Sequence, residues 1–359
     1  MSSSPQYSLW LALLTLCACT PEREPAGTPA SADAPTSPVE GAASGAEGAE
    51  PAEGAQAAEE ELGELAPIAP EGEHDFSVLD LLEVDRVSSP ALSPDGKTVA
   101  YVLRETDIEA DRGRTSLWLV PVAGGEPRLI DRHAAGASQP SWAPDGSALY
   151  FVSSRSGTSQ VHRLTLAPEG PARVEQISAL PVSVSNLVVS PDGQRLAVSA
   201  ELYVDCPDLA CSVERQASAG KASGVVYDRM FVRHWDTWTD HRRSQLLVLD
   251  AKPNTQSATI ISRGLDADVP AKPFGGAEDI RFTPDSAGLV FAARDAGGGP
   301  GEPWSTNFDL FWAPADGSAA PTRLTQNPAW DAQPRFHPTA RPSRGWRWSD
   351  PASRPTAFA

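Results

Sequence analysis

Leu92-Ser93-Pro94-Asp95-Gly96, followed by Thr98-Val99-Ala100-Tyr101-Val102, is the unit that sets the architecture, because the chain repeats it. Trp142-Ala143-Pro144-Asp145-Gly146 precedes Ala148-Leu149-Tyr150-Phe151-Val152, and Val189-Ser190-Pro191-Asp192-Gly193 precedes Leu196-Ala197-Val198. Phe282-Thr283-Pro284-Asp285-Ser286 leads into Leu289-Val290-Phe291, and Phe336-His337-Pro338 is a decayed fifth copy. Each part has a physical role. Proline sets φ at the first corner of a tight turn, and aspartate bonds its own downstream backbone. Glycine takes the positive-φ position, and a strand of alternating residues follows.

The prolines fall at 94, 144, 191, 284 and 338, in steps of 50, 47, 93 and 54. A period near 50 built from short strands is the mark of a propeller blade. The step of 93 is close to two periods, as if a copy were disguised or displaced by an insertion. A second strand pair follows most units: Ser116–Val120 to Arg128–Ile130, Gln245–Leu249 to Ile260–Ile261, and Asp309–Trp312 to Arg323–Thr325. Four blades are expected, at 88–131, 139–180, 186–263 and 278–326, with a fifth begun at Trp330. Asp95, Asp145, Asp192 and Asp285 read as turn chemistry repeated once per blade, not as metal or substrate ligands. The expected fold is all-β: an incomplete propeller of about four blades and part of a fifth, over residues 76–337.

What precedes the blades has a different character. Leu9-Trp10-Leu11-Ala12-Leu13-Leu14-Thr15-Leu16 is an apolar run too short to span a bilayer, and it reads as a signal segment over 1–19. Leu16-Cys17-Ala18-Cys19 resembles a bacterial lipobox, which makes Cys19 the expected lipidation site and membrane anchor. An ordinary cleaved signal or a misassigned start codon is the alternative, since residues 2–8 hold no lysine or arginine. Either way export is expected, to the periplasm or the outer membrane. Residues 20–73 contain thirteen acidic residues against Arg23 alone, and so carry −12 of the chain's net −18. Such a stretch lacks the apolar side chains that offset ordering entropy; residues 20–75 are expected to be a disordered acidic tether. The chain offers no basic cluster for a nucleic-acid partner. No cofactor or metal is expected, and nothing sets the oligomeric state.

Cys206 and Cys211 lie in Asp205-Cys206-Pro207-Asp208-Leu209-Ala210-Cys211. A local disulfide suits an oxidising compartment, with free thiols as the alternative; a zinc site lacks two further ligands nearby. Downstream stands Val226-Tyr227-Asp228-Arg229-Met230-Phe231-Val232-Arg233-His234-Trp235-Asp236-Thr237-Trp238, continuing through Asp240, His241, Arg242 and Arg243. His234, Asp236, Asp240 and His241 are a conceivable metal set. On a single strand, however, His234 and Asp236 would share one face and His241 would lie on the other. Aromatic packing of Trp235 and Trp238 with arginine–carboxylate pairs is the favoured reading, seating the segment against the next blade or a partner domain.

This segment, with His234, Trp235, Asp236 and Trp238 as its most specific residues, resembles the third-blade insertion of prolyl-oligopeptidase-family serine peptidases of the dipeptidyl and acylaminoacyl type. The Cys206–Cys211 stretch also fits that group. The resemblance implies a propeller that gates access to an α/β-hydrolase domain, with peptides as substrates of the complete enzyme. Hydrolysis there needs a G-x-S-x-G elbow. None occurs here: Ser138 and Ser159 have glycine two before but not two after. No catalytic residue is therefore assigned, and the chain is expected to be inactive alone. The alternative class is a Tol-associated periplasmic propeller acting as a binding or scaffold module. Residues 338–359, rich in arginine, proline and tryptophan without periodicity, read as an irregular tail, either out of frame or genuinely short.

Overall fold

The computed structural model describes residues 63–70, 72–166, 173–220, 224–228, 230, 232–294, 302–337 and 357–358. The signal segment with Cys19, the tether as far as residue 62 and residues 338–356 lie outside the described residues. Contacts begin ahead of the first blade: Ala69 N donates to Glu83 Oε2 at 3.2 Å, and Arg114 Nη1 to the Gly63 carbonyl at 3.4 Å. Helix α1 (Val78–Glu83) follows. Ser77 caps it, accepting from Leu79 N, while Asp80 reaches back to Ser77 N in a reciprocal capping box.

Four antiparallel four-stranded sheets make up the body. Blade 1 is β1 (Arg86–Leu92), β2 (Thr98–Asp107), β3 (Arg112–Pro121) and β4 (Arg128–Arg132). Blade 2 is β5 (Ser138–Trp142), β6 (Ala148–Ser153), β7 (Gln160–Thr165) and β8 (Arg173–Gln176). Blade 3 starts with β9 (Ser185–Val189) and β10 (Arg195–Leu202). An insertion then carries helix α2 (Leu209–Ser218) and the two-residue strands β11 (Arg233–His234) and β12 (Thr237–Trp238). Blade 3 resumes with β13 (Arg243–Asp250) and β14 (Thr259–Ile260). Blade 4 is β15 (Ile280–Phe282), β16 (Gly288–Ala293), β17 (Asp309–Pro314) and β18 (Thr322–Arg323). The step of 93 is thus one blade lengthened by residues 203–242, which leave and re-enter the sheet at the paired residues Leu202 and Arg243.

The period-two alternation of the strands sends side chains to both faces of each blade, and the faces meet as apolar junctions. Ala100, Val102, Leu117 and Leu119 of blade 1 pack on Leu149, Phe151 and Leu164 of blade 2. Tyr150, Val152 and Val161 meet Leu196, Val198 and Leu247 between blades 2 and 3. Ala197, Leu246 and Val248 meet Leu289, Phe291 and Phe311 between blades 3 and 4. Each fully buried Leu or Phe contributes about 2 kcal/mol of transfer free energy. Blade 4's far face, Val290, Ala292 and Leu310, is covered by Leu324, Ala332 and Phe336.

The repeated turn has one geometry throughout. Gly96 N donates to Ser93 O at 2.9 Å and Ser93 N to Thr98 O at 2.8 Å; Gly96 has φ +72°. Gly146 (φ +73°) and Gly193 (φ +69°) repeat it, and in blade 4 Ser286 (φ +59°) takes the same left-handed position. A second recurring feature was not anticipated. Ser89, Gln139, Asn186 and Gln333 all have φ between +50° and +55°. The first two sit at breaks in the β1–β2 and β5–β6 ladders. The signal lay in the sequence: Ser89-Pro90-Ala91-Leu92, Gln139-Pro140-Ser141-Trp142 and Gln333-Pro334-Arg335-Phe336 are one pattern. The third copy marks β19 (Arg335–Phe336) as the inner strand of a fifth blade, and β20 (Ala357–Phe358) pairs with it in parallel.

Candidate functional site

The turns and the insertion occupy opposite ends of the strands. Asp192 precedes β10 and the insertion follows it, so about 25 Å of strand separates them at 3.3 Å per residue. At the turn end every aspartate serves its own backbone. Asp95 Oδ1 accepts from Ser93 Oγ at 2.6 Å and Lys97 N at 3.1 Å. Asp145 accepts from Ser147 N and Oγ, Asp192 from Ser190 Oγ and Gln194 N, and Asp285 from Thr283 Oγ1 and Ala287 N. These bonds to the ionised form hold all four carboxyls below the usual carboxylate range; for Asp192 they outweigh the opposing effect of burial.

At the other end the insertion builds a cavity. Cys206 and Cys211 are joined as a disulfide, with Cα atoms 5.5 Å apart. Asp208 caps α2 by accepting from Cys211 N at 2.9 Å, and Tyr203 N donates to Ser212 Oγ at 3.0 Å. The chain then turns back through a tight hairpin. Arg233 pairs with Trp238 and His234 with Thr237, so Trp235 and Asp236 form the turn itself. This corrects the single-strand reading: His234 and Asp236 do not share a strand face, because the strand ends at His234 and Trp235 bends the chain with φ +48°. Trp235 stands 71% exposed at the tip, edge-on to Phe274 at 5.9 Å. Asp236 accepts from Thr237 Oγ1 at 3.3 Å. Trp238 stacks on Tyr227 at 6.1 Å, with the Arg233 guanidinium 5.4 Å from its ring. Among the described residues no group of three or more His, Cys, Asp or Glu is arranged to hold a metal.

Beneath the hairpin lies an ion-pair network that sequence spacing did not reveal. Arg243 donates to Asp266 Oδ1 at 3.0 Å, Asp268 Oδ2 at 3.3 Å and both oxygens of Glu302 at 2.9 and 2.8 Å. Burial works against its charge, but Glu302, Asp268 and Asp266 outweigh that and raise its pKa above the ordinary guanidinium value. Lys272 bridges Glu201 at 2.8 Å and Asp268 at 3.3 Å; these partners overcome burial and raise its pKa too. Arg242 holds Asp240 through Nε at 2.8 Å, which keeps that carboxyl depressed despite its burial. Glu302 comes from the blade 4 loop and Asp266 and Asp268 from the loop after β14, so the fold brings them to Arg243, whereas Arg242–Asp240 and Lys272–Asp268 are local pairs.

The resulting cavity has a volume of about 670 Å³. Glu201 and Asp205 line it where β10 ends, Asp228 and Asp240 within the insertion, and Asp266, Asp268 and Glu302 from the loops of blades 3 and 4. Against these seven carboxylates stand four cations: Arg242, Arg243, Lys272 and Arg294. Tyr227, Met230, Trp238 and His241 add an aromatic and apolar wall. The arrangement suits a ligand with one positive group beside an apolar one.

Residues 84–219 match the family model described as the TolB beta propeller domain. Over 263 residues the chain is 27% identical to dipeptidyl-peptidase 5 of Porphyromonas endodontalis, covering 73% of this chain and 37% of that protein. It is 30% identical over 225 residues to the uncharacterized peptidase YuxL of Bacillus subtilis, covering 60% and 30%. The acylaminoacyl peptidase of Pyrococcus horikoshii aligns in structure with a TM-score of 0.45 at 13% identity, over 68% of this chain and 33% of that one. The blades form an incomplete β-propeller that is similar in sequence to the propeller portion of prolyl-oligopeptidase-family peptidases. The chain spans about a third of the length of the curated relatives it matches.

Proposed function

We propose that this chain is the propeller portion of an exported serine exopeptidase of the dipeptidyl or acylaminoacyl type, and that in the complete enzyme it gates the entry of peptides to an α/β-hydrolase domain. Export, with a lipid anchor at Cys19, belongs to the same proposal. The observation that carries it is the cavity beside the blade 3 insertion, where carboxylates outnumber cations seven to four next to Tyr227 and Trp238. A charged peptide terminus with an adjoining apolar residue meets both kinds of wall, and hydrogen bonds from an ammonium to carboxylates are among the stronger polar contacts.

Calorimetric titration with a short apolar peptide amide, with its amine free or acetylated, tests this. The dipeptidyl form of the proposal predicts that the free amine binds and the acetylated form binds at least about tenfold more weakly, the loss expected for a charge-assisted bond; the acylaminoacyl form predicts the reverse preference. Equal binding, or none by either, overturns it. The second reading, a Tol-associated type of binding or scaffold propeller, is favoured by the family model over residues 84–219. It predicts no discrimination between the two peptides.

A further inference from the structure

We infer that the Cys206–Cys211 disulfide is a redox-operated latch on the wall of the insertion cavity. The wall residues Val204 and Asp205 follow directly on β10 and immediately precede Cys206. What holds this short stretch in place is α2. Among the described residues its non-covalent attachments there are the buried Leu209 and Ser212, the Tyr203 N to Ser212 Oγ bond, the Arg215 guanidinium 4.8 Å from the Tyr203 ring, and the pair of Arg215 with Asp205. That pair is bidentate at 2.7 and 2.8 Å, but its side chains are 43% and 71% exposed, a setting in which ion pairs contribute little. The disulfide is the covalent member of the set and ties the wall to the first turn of α2. From α2 the constraint passes on: Gln216 Oε1 accepts from Arg242 Nη1 at 3.2 Å, and Arg242 also grips Asp240 on the cavity. Arg263 Nη2 donates to the Pro207 carbonyl at 2.6 Å from the loop after β14, so the latch sits against the blade rather than in free solvent.

The two cysteines differ in access. Cys206 is 4% exposed, whereas Cys211 is half-buried. A thiolate therefore attacks Cys211 Sγ. The Cys211–reagent bond forms as the Cys206–Cys211 bond breaks, and Cys206 leaves as a thiolate that takes up a proton. With a dithiol reagent the second thiol displaces Cys211 and closes the reagent's own disulfide. Two electrons pass to the protein, which is left with two thiols. Oxidised, the wall is fixed; reduced, α2 keeps only non-covalent ties: buried Leu209 and Ser212, the Tyr203 N bond, Arg215 with Asp205 and over the Tyr203 ring, and the Gln216–Arg242 bond. As control of peptide entry this rests on the function proposed above; as a change in the order of the wall it does not.

Hydrogen exchange on the full chain, air-oxidised and after dithiothreitol, with the Cys206→Ala/Cys211→Ala variant alongside, separates the two. Amides of residues 203–218 are expected to exchange at least about tenfold faster when reduced and in the variant, while β6, β7 and β13 stay protected. Unchanged exchange over 203–218, or loss of protection throughout the blades, overturns the latch. Should the variant not fold, the reduced parent still gives the answer. The free-amine peptide, titrated into both forms, is expected to bind the reduced form more weakly. Faster exchange without peptide binding to the oxidised form keeps the latch and removes the peptidase reading.

Discussion

Arg243 and Glu302, separated by 59 residues in sequence, form a two-pronged ion pair across the junction of blades 3 and 4, with Nη1–Oε1 at 2.9 Å and Nη2–Oε2 at 2.8 Å. Arg243 opens β13 at the root of the insertion, and Glu302 starts a short helical turn in the loop between β16 and β17. Only 5% of Glu302 is exposed, and its cationic neighbours are Arg243 and Arg294, the latter 3.9 Å away. Arg243→Ala leaves Glu302, Asp266 and Asp268 facing one another without their shared cation. We expect a loss of about 3–5 kcal/mol by denaturant unfolding, the cost of breaking a buried pair from one side. Glu302→Gln keeps the shape and removes one charge, and is expected to cost less than half as much. Arg243→Lys cannot reproduce the fork and is expected to fall near the alanine variant. Equal losses for all three would deny the network its role.

His162 lies in β7 with 2% of its surface exposed, its Nδ1 3.1 Å from the Gln160 carbonyl. Burial first, then the nearby Arg155 charge, lowers its pKa from 6.5 to about 4. Arg155 is fixed there by Asp131, at 3.0 and 2.6 Å. The unfolded chain takes up a proton on this imidazole near pH 6.5; the folded chain refuses it until about pH 4. Stability from this group is therefore full above 6.5 and declines as pH falls toward 4, by about 3 kcal/mol in all. His162→Phe removes that slope, so the parent's unfolding free energy should fall relative to the variant's, by about 2 kcal/mol, as pH drops from 7 to 4.5. A constant difference between them sinks the prediction.

Gly96 sits in the left-handed region with φ +72°, and a methyl group there would meet nothing within 4 Å. Gly96→Ala therefore isolates the backbone cost and is expected to lose about 1 kcal/mol, with Gly96→Asn recovering part of it. Gly193→Ala would place its methyl 3.4 Å from Pro144 Cδ in the neighbouring blade's turn, an ordinary van der Waals distance, and is expected to cost about as much as Gly96→Ala. Thermal unfolding of the three variants decides the order; a neutral Gly96→Ala would mean that the turn relaxes.

The contrast between turn and cavity explains what the sequence discloses. A Pro-Asp-Gly turn is specified within five residues, and the strands after it declare themselves by alternation, so the four blades were legible. The insertion was legible as an excess in the spacing between Pro191 and Pro284 and in the resemblance of the segment around His234–Trp238 to a third-blade insertion. Its hairpin was not, since two-residue strands such as Arg233–His234 carry no period and the turn falls on Trp235, a residue without turn preference. The carboxylates around Arg243 come from 23, 25 and 59 residues further along the chain, a distance over which no local pattern operates.

Trp235 and Phe291 together test whether the hairpin's tryptophan serves the fold. Phe291 is fully buried between blades 3 and 4, stacked on Phe311 at 6.1 Å with the rings 15° apart. Truncating it removes apolar burial and leaves a cavity in a junction that cannot collapse, so Phe291→Ala is expected to cost about 3–5 kcal/mol. Trp235 is larger but exposed at the hairpin tip, with Phe274 as an edge-on ring neighbour that is itself 66% exposed. An aromatic pair in that setting contributes at most about 1 kcal/mol. Trp235→Ala should leave the unfolding midpoint within a few degrees of the parent while Phe291→Ala shifts it far down. A large drop from Trp235→Ala would place the tryptophan in the fold's own packing. The expected small drop would show that this exposed side chain at the hairpin tip contributes little to the stability of the blades.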